Sequence, residues 1–133
     1  MAARITPQDS NRRSRRVDHY TSLTYSEPFF SLIETKLFSR LLGEYLSDDD
    51  YAAPQRSLIA NPEVVAVIPG SGGVRKLRWT LPGRGKLGGV RVVYFVKTLE
   101  GVIWMLTIYA KNVAENIPVH VLRKIREEID SHG

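Results

Sequence analysis

Cysteine is absent from the 133 residues, histidine occurs only three times, and acids are almost missing from one long stretch of the chain. Without thiols there can be no disulfide framework and no zinc site built on thiolates. His19, His120 and His132 have no metal-ligand spacing. No run approaches the roughly 18 apolar residues of a membrane span, and the N-terminal residues hold no apolar signal-peptide centre. The expectation is a cytoplasmic chain that uses neither membrane, metal nor cofactor. A hydrophobic content of 43% at this length suits one domain around one core.

The shortage of acid is local. Between Arg75 and Lys111 stand eight basic side chains (Arg75, Lys76, Arg78, Arg84, Lys86, Arg91, Lys97 and Lys111) against the single acid Glu100. The formal net charge of +5 therefore hides a division: this block carries +7, the first nineteen residues +3 and the remainder −5. A basic face is the electrostatic footprint of a phosphate-rich partner, with an acidic protein as the other possibility.

Residues 1–19 are polar, include NRRSRR at Asn11 to Arg16, and show neither helical nor strand periodicity. They read as a disordered tail ahead of a domain over 20–133. Tyr20 to Tyr25 is rich in aromatic and β-branched residues and predicts a first strand. Ser26, with Glu27 and Pro28 behind it, predicts a helix start. Phe29, Phe30, Ile33, Leu37, Phe38, Leu41 and Leu42 then recur at helical spacing up to Gly43. Ser47 and Asp50 suggest a capping box for a second helix towards Ala60, kinked or restarted at Pro54. Val74–Thr80, Gly89–Val96 and Val102–Tyr109 read as three strands, with a hairpin turn at Leu99-Glu100-Gly101. Val119, Leu122, Ile125 and Ile129 mark one face of a last helix starting near Ile117-Pro118.

Gly83-Arg84-Gly85-Lys86-Leu87-Gly88 matches G-x-G-x-x-G, but it leads into the strand-like GVRVVYFV rather than into a helix. A dinucleotide site needs that helix N-terminus, so the segment reads as a flexible hairpin connection whose Arg84 and Lys86 can reach phosphates. Alternate residues of a strand share a face, which puts Lys76 and Arg78 together and allows Arg91 to lie beside them. This group is either the solvated outer face of a sheet or an RNA surface. Tyr94 and Tyr109 interleave with the charges, as rings that stack on bases do. Trp79 and Trp104 read as core residues. No His, Cys or carboxylate except Glu100 lies in the block, so chemistry there would use Lys, Arg and Tyr. Attack of a ribose 2′-hydroxyl on the adjacent phosphate needs only that: cations for the developing charge, and a lysine whose pKa neighbouring arginines depress.

GSGGVRKLRW, GRGKLGGVRVVYFV, LTIYAKN and EYLSDDDY together resemble the HigB branch of the RelE/ParE superfamily of bacterial type II toxins. The resemblance covers about Thr24 to Asp130. It implies an α+β fold, a twisted antiparallel sheet in the order β-α-α-β-β-β-α. It also implies a ribosome-dependent mRNA endoribonuclease and a HigA-like helix-turn-helix antitoxin as partner, alongside ribosome and mRNA. Carried over by position, catalytic roles fall on Lys76, Arg78, Arg91 and Lys111; the family's terminal tyrosine has no counterpart near Ile117 and Pro118, which hold no hydroxyl, so Tyr94 or Tyr109 is the substitute. Arg75, Arg84, Lys86 and Lys97 are expected as RNA or ribosome contacts. The same superfamily holds ParE-type gyrase inhibitors, and a non-catalytic binding module is the third alternative.

Overall fold

The computed structural model describes residues 3–5, 30–81, 89–111 and 116–132. The expected strand at Tyr20–Tyr25, the Ser26 helix start and the glycine-rich loop with Arg84 and Lys86 lie outside them. The described elements are β1 (Ala3–Ile5), β2 (Ser31–Thr35), α1 (Lys36–Tyr45), α2 (Asp48–Ala60), β3 (Val74–Thr80), β4 (Gly89–Lys97), β5 (Val102–Ala110) and α3 (Val119–His132). From β2 onward the order is β-α-α-β-β-β-α.

The strands form one sheet in the order β1-β2-β5-β4-β3. β3, β4 and β5 are an antiparallel meander, whereas β2 runs parallel to β5, with Ile33 opposite Trp104. The sheet is therefore mixed rather than wholly antiparallel. A parallel neighbour needs a long crossover, and here the two helices and the β3–β4 hairpin supply it. Ala3–Ile5 pairs antiparallel with β2, so these three residues of the expected tail belong to the sheet.

Ser31–Thr35 is strand where helical spacing had predicted helix. Phe30, Leu32 and Glu34 alternate inward and are buried. Glu34 is tolerated there because its carboxylate accepts from the Ser39 hydroxyl at 2.7 Å. Thr35 makes the switch to helix: its Oγ1 accepts from Phe38 N at 3.0 Å, capping α1, and donates to Leu106 O at 2.9 Å, tying the cap to β5. In α2, Ser47 caps Asp50 N, and Asp48, Asp49 and Asp50 meet the positive end of the helix dipole. The helix continues through buried Pro54. The missing hydrogen bond there is the one Asp50's carbonyl would have accepted, near the helix start.

Each sheet face buries its own cluster. Tyr94, Val92, Met105, Ile103 and Ile108 pack beneath α1 and α2 with Phe38, Leu42 and Leu58. Val74, Val93, Phe95 and Leu106 pack beneath α3 with Leu122 and Ile129. Trp79 and Trp104 sit partly buried, one against each cluster, as core residues. α3 covers only part of its face. The loop before β3 fixes its position: Arg123 donates to Gly70 O and Arg126 to Gly72 O, while the Arg126 guanidinium lies 4.2 Å above the Phe95 ring.

Candidate RNA-cleavage site

The part of the α3-side face that the helix leaves open carries the cations. In the β3–β4–β5 register, Arg78 stands opposite Arg91 and Arg91 opposite Tyr109. Lys76, two residues before Arg78, stands opposite Val93. The row thus takes one residue from each of three neighbouring strands, with Lys76 in the adjacent row.

Tyr109 owes its place to a β-bulge. Val93 pairs with Thr107 but Tyr94 pairs with Met105, leaving Leu106 without a partner in β4. An unbroken ladder continued from Tyr94 and Met105 would have set Ile108 opposite Arg91 and turned Tyr109 to the other face. One inserted residue re-aims a side chain in this way at many functional sites.

The electrostatics are one-sided. Among the described residues no carboxylate pairs with Lys76, Arg78 or Arg91; the ion pairs present involve Arg75, Lys97 and Arg126 instead. Lys76 Nζ donates to the neutral amide oxygen of Asn116, at 2.9 Å. Partial burial lowers the Lys76 pKa, and Arg78 and Arg91 lower it further. Tyr109 is 7% exposed, and its hydroxyl has no hydrogen-bond partner among the described residues. Burial raises its pKa, while Arg91 and Arg78 act the other way. The result is a local concentration of positive charge, an amine shifted towards its neutral form and a phenol that holds its proton.

Three of the expected site residues lie elsewhere. Tyr94 faces α1 and α2, is 0% exposed, and donates to Pro62 O at 2.8 Å, which puts it on the opposite side of the sheet from the cations. Burial pushes its pKa up to about 12. Arg75 shares the face of Tyr94, opposite which it pairs; its guanidinium donates to Val65 O at 2.5 Å and meets Glu63 at 3.6 Å. It braces the segment between α2 and β3 instead of offering a cation to RNA. Lys97 is on the Arg91 face but at the far end of β4, roughly 20 Å along the strand, and is paired with Asp130 at 3.6 Å and Glu100 at 3.9 Å. Neither Tyr109 nor Tyr94 exposes a ring for stacking.

Lys111 is exposed just past β5, its N–H continuing the ladder to Gly89 O at 3.2 Å. The residue that sequence reasoning missed is Asn116. A lone asparagine ahead of a helix has no distinctive spacing, and its contact spans 40 residues of chain.

Beside the row, a cavity of about 140 Å³ opens between the sheet and the start of α3, with Lys76, Tyr109 and Asn116 among its lining residues. No three His, Cys, Asp or Glu side chains gather into a metal site among the described residues. No described helix is long and apolar enough to cross a membrane.

The architecture is that of a RelE-like α+β fold. The chain is similar to the Escherichia coli toxin RelE, solved in the free state as a double arginine-to-alanine mutant. The TM-score is 0.50 at 19% identity, over 75% of this chain and 98% of that one. No protein-family model matches the sequence.

Proposed function

We propose that this protein is the toxin of a type II toxin–antitoxin pair and that it cleaves ribosome-bound mRNA in the cytoplasm without a metal or cofactor. The observation that carries the reading is the Arg78–Arg91–Tyr109 row with Lys76 beside it, a cation cluster that no described acid neutralises. Arg78 and Arg91 hold the scissile phosphate and stabilise its developing charge. Lys76, in its neutral form, takes the 2′-hydroxyl proton as the 2′ oxygen attacks phosphorus and the bond to the 5′ oxygen breaks. The products are a 2′,3′-cyclic phosphate and a 5′-hydroxyl end. The departing oxygen takes its proton from the Lys111 ammonium, which is exposed at this end of the sheet. Such a site is a weak catalyst on free RNA, because it lacks a strong acid or base; the ribosome supplies in-line placement of the strand.

Arg84 and Lys86, on the connection between β3 and β4, are assigned to ribosomal RNA or the mRNA backbone. The partner is a HigA-like antitoxin with a helix-turn-helix domain. The test is to induce the protein and map mRNA 5′ ends, with Arg91→Ala as control. Cuts inside translated codons with the original chain, and none with Arg91→Ala at equal expression, are expected. Intact mRNA accompanied by gyrase-linked DNA breaks would overturn the reading.

A further inference from the structure

The cavity next to the cation row shares Lys76 with it. Its walls are apolar, formed by Ile68 before β3, Val93 on β4, and Ile117 and Leu122 at the start of α3. Its polar members include the Lys76 ammonium and the Asn116 amide, which are bonded to each other. Solvated cation surfaces do not require such a recess; a nucleotide whose phosphate lies on Arg78 and Arg91 has a base to place beside it. Because Lys76 belongs to both the cavity lining and the cation group, the two are continuous.

Size narrows the occupant. At about 140 Å³ the cavity is well below the roughly 300–1,000 Å³ of pockets for drug-sized ligands. It matches the engineered apolar cavity of about 150 Å³ that takes one benzene molecule. That volume accommodates one six-membered ring, whereas a fused double ring would have to project through the open mouth. Apolar walls suit the two faces of a flat ring. A polar rim suits its edge: Asn116 commits its carbonyl oxygen to Lys76, leaving the amide N–H groups to donate to a ring carbonyl.

We propose that this cavity seats a pyrimidine base of the RNA whose phosphate lies on Arg78 and Arg91, with Asn116 reading the base edge. The inference rests on the RNA-cleavage reading above and adds to it a binding pocket, a base class and a specificity-determining residue.

The test uses the free full-length protein with methyl and arginine side-chain NMR, and the probes are UMP, CMP, AMP, GMP, ribose 5-phosphate and inorganic phosphate. All six should move the Arg91 signal if the row binds phosphate. Only UMP and CMP should also shift the Ile117, Leu122 and Val93 methyls strongly, and they should saturate at several-fold lower concentration than ribose 5-phosphate. Ile117→Phe, at a half-buried wall position, should abolish the methyl shifts and the affinity gain while leaving the Arg91 response and the melting temperature in place. Phosphate binding with no methyl response to any nucleotide would overturn the pocket assignment alone. AMP or GMP moving the same methyls at lower concentration than UMP would overturn the single-ring assignment. No response at Arg91 to any probe would overturn the phosphate row, and the pocket assignment with it.

Discussion

Arg91 and Tyr109 face each other across β4 and β5 because Leu106 is one residue too many for the ladder. That arrangement leaves a phenol hydroxyl buried beside two guanidinium groups with no described partner. The second sheet tyrosine is the opposite case, since the Tyr94 hydroxyl is fully engaged with Pro62 O.

The two tyrosines should therefore respond oppositely to loss of the hydroxyl. Tyr94→Phe removes a buried hydrogen bond and should cost about 1–2 kcal/mol of stability, with cleavage unchanged. Tyr109→Phe removes a buried hydroxyl with no described partner and should leave stability equal or raise it by up to about 1 kcal/mol, with cleavage little changed. Urea denaturation and single-turnover cleavage on both variants check the pair. A Tyr109→Phe protein as destabilised as Tyr94→Phe would show that the Tyr109 hydroxyl is bonded in the folded protein.

The stability contribution of Tyr94 should also depend on pH. Its folded pKa, raised by burial to about 12, lies above the unfolded value of 10.0. The folded state thus favours the protonated phenol. The contribution is present in full below pH 10 and is lost as the pH rises through about 12. The stability difference between the original chain and Tyr94→Phe should shrink over that window, read by urea midpoints at stepped alkaline pH.

On the proposed reading, the pH dependence of cleavage follows Lys76. Its partner Asn116 is neutral, and among the described residues the charges acting on it are Arg78 and Arg91. Every charge in that set favours the neutral amine. Asn116→Asp places a carboxylate on the amine and should raise the Lys76 pKa, moving the rising limb of the pH–rate profile to higher pH and lowering the rate several-fold at neutrality. Asn116→Ala should lower the rate with the limb unmoved or shifted slightly down. An unmoved limb in Asn116→Asp would show that Lys76 is not the base.

How much of this was legible in the sequence depends on strand parity. Alternation alone groups Lys76 with Arg78 and separates both from Arg75, and it separates Arg91 from Tyr94 in the same way; the placement of Arg75 and Tyr94 on the opposite face was thus open to a stricter use of the same rule. Tyr109 was not, because an unforeseeable bulge sets its face. β2 was hidden for a different reason. Phe30, Ile33, Leu37 and Leu41 satisfy the helical period, and the true alternation places a carboxylate, Glu34, at its third inward position. Its parallel pairing with β5 is tertiary and leaves no local signature. The strands β3 to β5 and α3 were readable because they are long and strongly periodic.

Gly73 marks where the loop before β3 depends on glycine. Its φ is +104°, and a Cβ there would come within 2.9 Å of the Phe95 ring, which the Arg126 guanidinium caps. Gly73→Ala should cost about 1–3 kcal/mol from backbone strain, and more if the ring cannot yield. Thermal melts would check this, and the loss should be accompanied by weaker amide protection at Val74, whose N–H bonds to the buried Ser71 hydroxyl at 2.9 Å.

The cation row itself carries a cost. Arg78 and Arg91 are directly opposite each other, and like charges in that position oppose sheet pairing by up to about 1 kcal/mol. No described acid relieves the repulsion, so an anion should. Inorganic phosphate at low ionic strength should raise the melting temperature of the original chain through its preferential binding to the folded state. Arg91→Ala should raise the melting temperature in the absence of phosphate and abolish the further increase on adding it. Sodium chloride at high concentration should reduce the phosphate effect, since exposed charges are screened over about 10 Å at 0.1 M. A phosphate response that survives in both Arg78→Ala and Arg91→Ala would place the anion elsewhere and separate the row from the chemistry assigned to it.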